Sequence, residues 1–179
     1  MIWTWTTLTS ESSPMTRLLR IVRLDDSDTQ VYEPCAEAGE WAVPGSFYFW
    51  DLRAEDLGGK RRQAFSHGFL GIGSFGWGTV VAVAEISQAE LEQATQELAF
   101  HLVQRFGAPD MAAALPAARE EIEFAIGLCE HPPNTLITVQ REFQGEEIQE
   151  NFRRIQPSSG ADHESLRLFG VDNSYDANG

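Results

Sequence analysis

The chain has 179 residues, 42% hydrophobic and 22% charged, which excludes a wholly disordered or fibrous protein. Its 27 acidic and 13 basic side chains leave a net charge of −14. That balance argues against general nucleic-acid binding, which needs cations to displace counterions from phosphate, and against docking on anionic lipid. No apolar run is longer than that of Val80 to Ala84, far shorter than the roughly 20 residues that span a bilayer, so no membrane segment is expected.

Met1 to Pro14 lacks the charged start, apolar stretch and cleavage site of a signal peptide. It reads as an N-terminal extension carrying Trp3 and Trp5, with a single α+β domain over 15–156 behind it. Leu18, Leu19, Ile21, Val22 and Leu24 form a short apolar run, read as strand and stopped by Asp25–Asp26–Ser27–Asp28. Arg17, Arg20 and Arg23 recur every third residue, so helix stays open there. Gln30 to Glu33 is a candidate second strand. Ser46 to Trp50 holds four consecutive aromatics, whose bulk predicts a strand buried on both sides. Residues 62–70 alternate, placing Phe65, His67 and Phe69 on one strand face. Residues 79–86, TVVAVAEI, form the clearest buried strand.

The middle of the chain reads as helix. Ser87 and Glu90 have capping-box spacing, and Leu91, Ala94, Leu98, Leu102 and Phe106 follow at three and four residues. Gly107 and Pro109 end that helix. A second begins at Asp110 or after Pro116, buries Ala118, Ile122, Ala125, Ile126 and Cys129, and stops at Pro132–Pro133. Thr135 to Val139, reaching Phe143, predicts a returning strand. Residues 146–155 look helical, with Ile148, Phe152 and Ile155 suitably spaced. Residues 157–179 form a polar tail in which only Leu166, Leu168, Phe169 and Val171 are apolar. The predicted fold is an antiparallel, strongly curved sheet covered on one face by a helical hairpin.

Gly71–Ile72–Gly73–Ser74–Phe75–Gly76 is a literal G-x-G-x-x-G. A dinucleotide site needs a helix after it, so that amides and dipole face the pyrophosphate, but Trp77 to Val81 reads as strand. A kinase-type loop needs a lysine in the following strand, where Ala84 and Glu85 stand. No nucleotide or other cofactor is expected. Cys35 and Cys129 are read as reduced thiols, and with His131 they complete no metal-ligand set. Ser66 and His67 are strand neighbours pointing apart, so they form no triad. No catalytic residue is marked. Asp25, Asp26 and Asp28 read as a solvated turn, and Glu120, Glu121 and Glu123 as a helix surface.

Residues 87–131 hold eight acidic and two basic side chains, while Lys60–Arg61–Arg62 is the one basic triplet. An acidic helical face opposite a basic patch suits docking on another protein. The sequence reading therefore expects a non-catalytic accessory or adaptor protein of the bacterial cytoplasm. Its partner-binding residues are Trp77 and Phe75 in the glycine loop, provided Trp77 is exposed, with Arg61 and Arg62 steering. The alternative is a small-molecule-binding protein or enzyme, with a pocket of Phe47, Phe49, Trp50, Phe65, His67 and Phe69 between sheet and hairpin. A homodimer is compatible with either. The segments GEWAVPGSFYFWDL and GKRRQAFSHGFLGIGSFGWGTVVAVAEI resemble a small, functionally uncharacterised family of proteobacterial proteins over about residues 16–156. That resemblance implies at most an accessory role and brings no activity or catalytic residue with it.

Overall fold

Residues 15–155 and 171–172 are described by the structure, a computed structural model. The extension 1–14 and the remainder of the predicted tail lie outside the described residues. Strand β1 (Arg17–Val22) settles the first ambiguity, because Leu18 and Leu19 are both fully buried and both faces of the strand are therefore covered. Its arginines are not a helical stripe. Arg17 donates to the His131 carbonyl, Arg20 to Gly39 and Arg23 to Ala36, each closing a neighbouring loop.

After β1 come helix α1 (Ser27–Val31), β2 (Trp41–Val43), α2 (Gly59–His67), β3 (Phe69–Gly71), β4 (Trp77–Gly78) and β5 (Val80–Glu85). Helices α3 (Gln88–Arg105) and α4 (Met111–Gly127) follow, then β6 (Leu136–Gln144), β7 (Glu147–Ile155) and β8 (Val171–Asp172). The strands form one sheet in the order β4-β3-β2-β1-β5-β6-β7-β8, antiparallel at every neighbour. The fold is α+β, with α4 packed on β1 and β2, α3 packed on α4, and α2 packed on β6. Ser87 and Glu90 make the predicted capping box, and the Asp110 carboxylate caps α4 through the Ala113 amide at 2.8 Å. Pro116 lies inside α4 without ending it.

Several segments differ from the sequence reading, each for a tertiary reason. Gln30 belongs to α1, not to a strand. The four aromatics form a 3₁₀ turn, Ser46–Phe49, so they fan out in different directions instead of alternating. Residues 59–67 are helix, as Lys60, Arg61, Arg62, Gln63 and Ala64 favour, and strand begins only after Gly68. His67 is thus exposed at a helix end and shares no strand face with Phe65 and Phe69. Residues 147–155 are strand: the two-residue turn Gly145–Glu146, with Gly145 at φ +64, pairs them with β6 in unbroken register. Ile148 and Phe152 fit either period, and the hairpin decides.

The glycine loop is strand–loop–strand, as expected, and two of its glycines have no room for a side chain. A Cβ on Gly76 would lie 2.6 Å from the Cys35 backbone, where the Trp77 carbonyl accepts from the Ala36 amide and the Trp77 amide donates to the Pro34 carbonyl. By contrast, Gly127 ends α4 in open space at an ordinary φ. Gly76→Ala should therefore cost about 1–3 kcal/mol through overpacking, whereas Gly127→Ala should gain about 0.5–1 kcal/mol. Urea titration of the two variants checks these opposite signs.

Candidate functional site

The inward side of the β6–β7 hairpin carries Ile137, Val139, Arg141 and Phe143 on one strand, opposite Arg154, Phe152, Glu150 and Ile148 on the other. An arginine in that apolar row is unusual, and Arg141 is 2% exposed. Its guanidinium donates to the Gly68 carbonyl at 2.6 Å, to Phe65 at 3.1 Å and to Pro44. Nε faces Glu150 Oε2 at 3.7 Å, an ion pair too long to be a hydrogen bond. Burial lowers the pKa of Arg141, and Glu150 and Glu121 oppose that by favouring the charged form. Burial also raises the pKa of Glu121, against the Gly45 amide that donates to its carboxylate at 2.9 Å.

These bonds fix the chain at Pro44–Gly45 and so fix the aromatic turn that follows. Gly45 has φ +80, and a Cβ there would lie 2.7 Å from the Leu70 Cβ. From this pivot Phe47 and Tyr48 meet Phe106 edge-on, and Tyr48 also meets Trp77. Phe49 packs between Phe65 and Trp77. Trp50, next in line, is 74% exposed. It borders an open hollow of about 500 Å³ with Asp51, Arg53, Glu55, Phe143 and Glu146 among its walls. Phe143 is held by stacking on Phe65 at 4.4 Å, so both sides of the hollow rest on the buried core.

The sequence-predicted residues fall elsewhere. Trp77 is 4% exposed and Phe75 is 2% exposed, so the solvent-facing Trp77 that the interface reading required is not present. Trp77 instead lies under the 3₁₀ turn, and Phe75 stacks on His101 at 4.4 Å with the Arg105 guanidinium over it. Arg61 is exposed on α2, whereas Arg62 donates to the Leu57 carbonyl. Lys60 pairs with Glu33 at 3.1 Å.

The six-residue pocket does not assemble around His67. Phe49, Phe65 and Phe69 are core, Trp50 is outside, and Phe47 lines a separate groove with Leu98, Leu102 and Phe124. His67 approaches the Val139 carbonyl through Nδ1 at 3.4 Å. The glycine loop already holds an anion, since the Glu40 carboxylate accepts from the Ser74 amide at 3.0 Å.

Metal chemistry finds no cluster either. Among the described residues no three His, Cys, Asp or Glu side chains converge. Cys129 is buried, which pushes its thiol up to about 12, and Cys35 accepts a contact from Arg23. Asp28, in the acidic turn, accepts from the Thr79 hydroxyl and amide, and Thr79 meets the Tyr32 hydroxyl at 2.8 Å. Among the described residues no helix is long and apolar enough to cross a membrane.

Residues 15–176 match a family model described as a family of unknown function, DUF6505. The chain belongs to that family. The match starts at Met15 but extends past residue 156, where the sequence reading ended the resemblance, and it includes β8, which pairs with the end of β7. No curated protein and no solved structure matches the chain.

Arg141 and Glu121 were missed as important residues. The signal for Arg141 was available: it lies in phase with Ile137, Val139 and Phe143, an inward position that a charge occupies only when paired. Arg141→Met should destabilise the fold by roughly 3–5 kcal/mol, because Glu150 is left unpaired and buried carbonyls lose their donor. Adding Glu150→Leu should recover part of that loss, as chemical denaturation of the double variant would show. For Glu121 the folded carboxyl holds its proton above the ordinary value of 4.5. The folded state then binds more protons than the unfolded one just above that pH, so this group's contribution falls as pH rises through the window. Glu121→Gln should flatten that part of the stability–pH profile while keeping an acceptor for Gly45.

Proposed function

We propose that this protein is a non-catalytic accessory or adaptor of the bacterial, more narrowly proteobacterial, cytoplasm that acts by protein–protein contact. The observation that carries the reading is Trp50, an indole standing in solvent at the end of a turn whose other aromatics are packed. Isolated exposed apolar residues are common on protein surfaces. Trp50 differs in its support: the preceding turn is pinned from below by Arg141, Trp77 and Phe65, so little entropy is lost when a partner encloses it. Tryptophan also dominates binding hot spots.

The hollow beside it supplies a floor from Leu52 and Phe143 and a rim from Asp51, Glu55 and Glu146, with Arg53 as the one cation. Such a rim favours a partner that offers an apolar socket edged by basic side chains, in keeping with the net charge of −14. The interface anchor thus moves from Trp77 to Trp50, while the class of function stays as the sequence suggested.

Trp50→Ala should leave the unfolding midpoint unchanged within about 0.5 kcal/mol. It should weaken binding to partners captured by the wild-type chain by about 2 kcal/mol or more. Phe100→Ala, which removes another exposed ring remote in sequence from the hollow, is the control. Equal recovery with all three proteins would remove Trp50 as the anchor.

A further inference from the structure

We infer that the groove between α3 and α4 beside the aromatic turn binds a small organic cation, an ammonium group on an apolar body, with Glu121 and Glu120 holding the charge. The groove has a volume of about 520 Å³, within the roughly 300–1,000 Å³ of small-ligand sites. One wall is α3, which supplies Leu98 and Leu102 one turn apart, and Phe47 joins it from the 3₁₀ turn. The other wall is α4, where Ala117, Glu120, Glu121 and Phe124 follow at three- and four-residue spacing and share one helix face. The site is separate from Trp50, and the inference does not rest on the adaptor reading.

The walls are held by the core behind them, so little has to be ordered on binding. Leu98 is fully buried. Phe47 stands edge-on against Phe106 at 5.5 Å, and Phe124, 48% exposed, rests on Phe152 at 5.9 Å. Glu121 spends Oε1 on the Gly45 amide at 2.9 Å, which fixes the carboxylate and leaves Oε2 for the groove that the residue lines. The Arg141 guanidinium is committed to the Gly68, Phe65 and Pro44 carbonyls and to Glu150. Among the described residues neither Glu120 nor Glu121 forms an ion pair. Burial raises the pKa of Glu121, with Glu150 and Glu120 acting in the same direction and Gly45 and Arg141 against it. A cation in the groove would favour the ionised carboxylate.

Charge and chemistry together select the ligand. An anion would meet two carboxylates on a chain of net charge −14. A neutral apolar molecule would cover the Glu121 carboxylate without pairing it, at a desolvation cost. A bare metal ion needs several oxygen ligands, whereas leucine and phenylalanine form the remaining walls, and no three His, Cys, Asp or Glu side chains converge among the described residues. An ammonium group on an apolar body satisfies both halves of the groove. Its N–H groups donate to the carboxylates, and its body covers Leu98 and Leu102. The ring faces of Phe47 and Phe124 add attraction for the cation.

Titration of the full-length chain with phenethylamine, followed by NMR chemical shifts, tests the inference. The expected dissociation constant is about 1 mM or tighter, with shifts centred on Leu98, Leu102 and Ala117. Phenethyl alcohol has the body without the charge and methylamine the charge without the body, and each should bind at least about tenfold more weakly. Glu121→Gln, which keeps an acceptor for Gly45, should weaken phenethylamine binding about tenfold. Ala117→Leu, at an exposed helix position, should do the same by filling the groove while leaving the unfolding midpoint unchanged. Acetyl-lysine methylamide presents the same ammonium on a peptide backbone and should bind more weakly than phenethylamine. Tighter binding of that peptide mimic would overturn the assignment to a small molecule. No shift at Leu98, Leu102 or Ala117 with phenethylamine up to about 10 mM would overturn the inference as a whole. So would equal binding of the alcohol or of methylamine, or unchanged affinity in either folded variant.

Discussion

The buried guanidinium of Arg141 ties β6 to the end of α2 and to the segment after β2 by hydrogen bonds, and to β7 by its ion pair with Glu150. A cation in that position has a high desolvation cost and is stable only while its carbonyl acceptors and Glu150 stay where they are. The constraint therefore runs in both directions. Arg141 holds the surrounding backbone, and that backbone must be correctly placed for Arg141 to be buried at all. Such mutual dependence favours one arrangement of loops over near alternatives, because a half-formed network is worse than none.

The aromatic turn shows the consequence at the surface. Pro44 is fixed by Arg141 and Gly45 by Glu121, and the left-handed glycine redirects the chain into a 3₁₀ turn. Each of the next three rings finds a packed neighbour. The fourth, Trp50, comes one step after the turn has spent its inward directions. Its exposure is thus a property of how the turn is mounted, and Trp77, buried beneath it, contributes as a support. The glycine loop has a similar structural explanation. Its glycines admit the Cys35 backbone and the Glu40 carboxylate at distances no side chain would allow, and that carboxylate accepts from the Ser74 amide within the loop.

Patterns of short range were legible in the sequence. The capping box of Ser87 and Glu90, the apolar stripe from Leu91 to Phe106 and the run from Val80 to Glu85 each depend on neighbours a few residues away, and each formed as read. The α+β class and the strand after the glycine motif followed from the same local signals. Segments whose spacing fits two periods could not be settled this way. Ile148 and Phe152 suit helix or strand, and a nine-residue partner in β6 made them strand. Phe65, His67 and Phe69 suit a strand, yet a helix that ends at Gly68 separates them. The buried or exposed state of a large aromatic was equally beyond local reading. Trp50 and Trp77 have similar aromatic and glycine neighbours, and only the direction imposed on the chain at Gly45, by groups more than seventy residues away, sends one outward and keeps the other in.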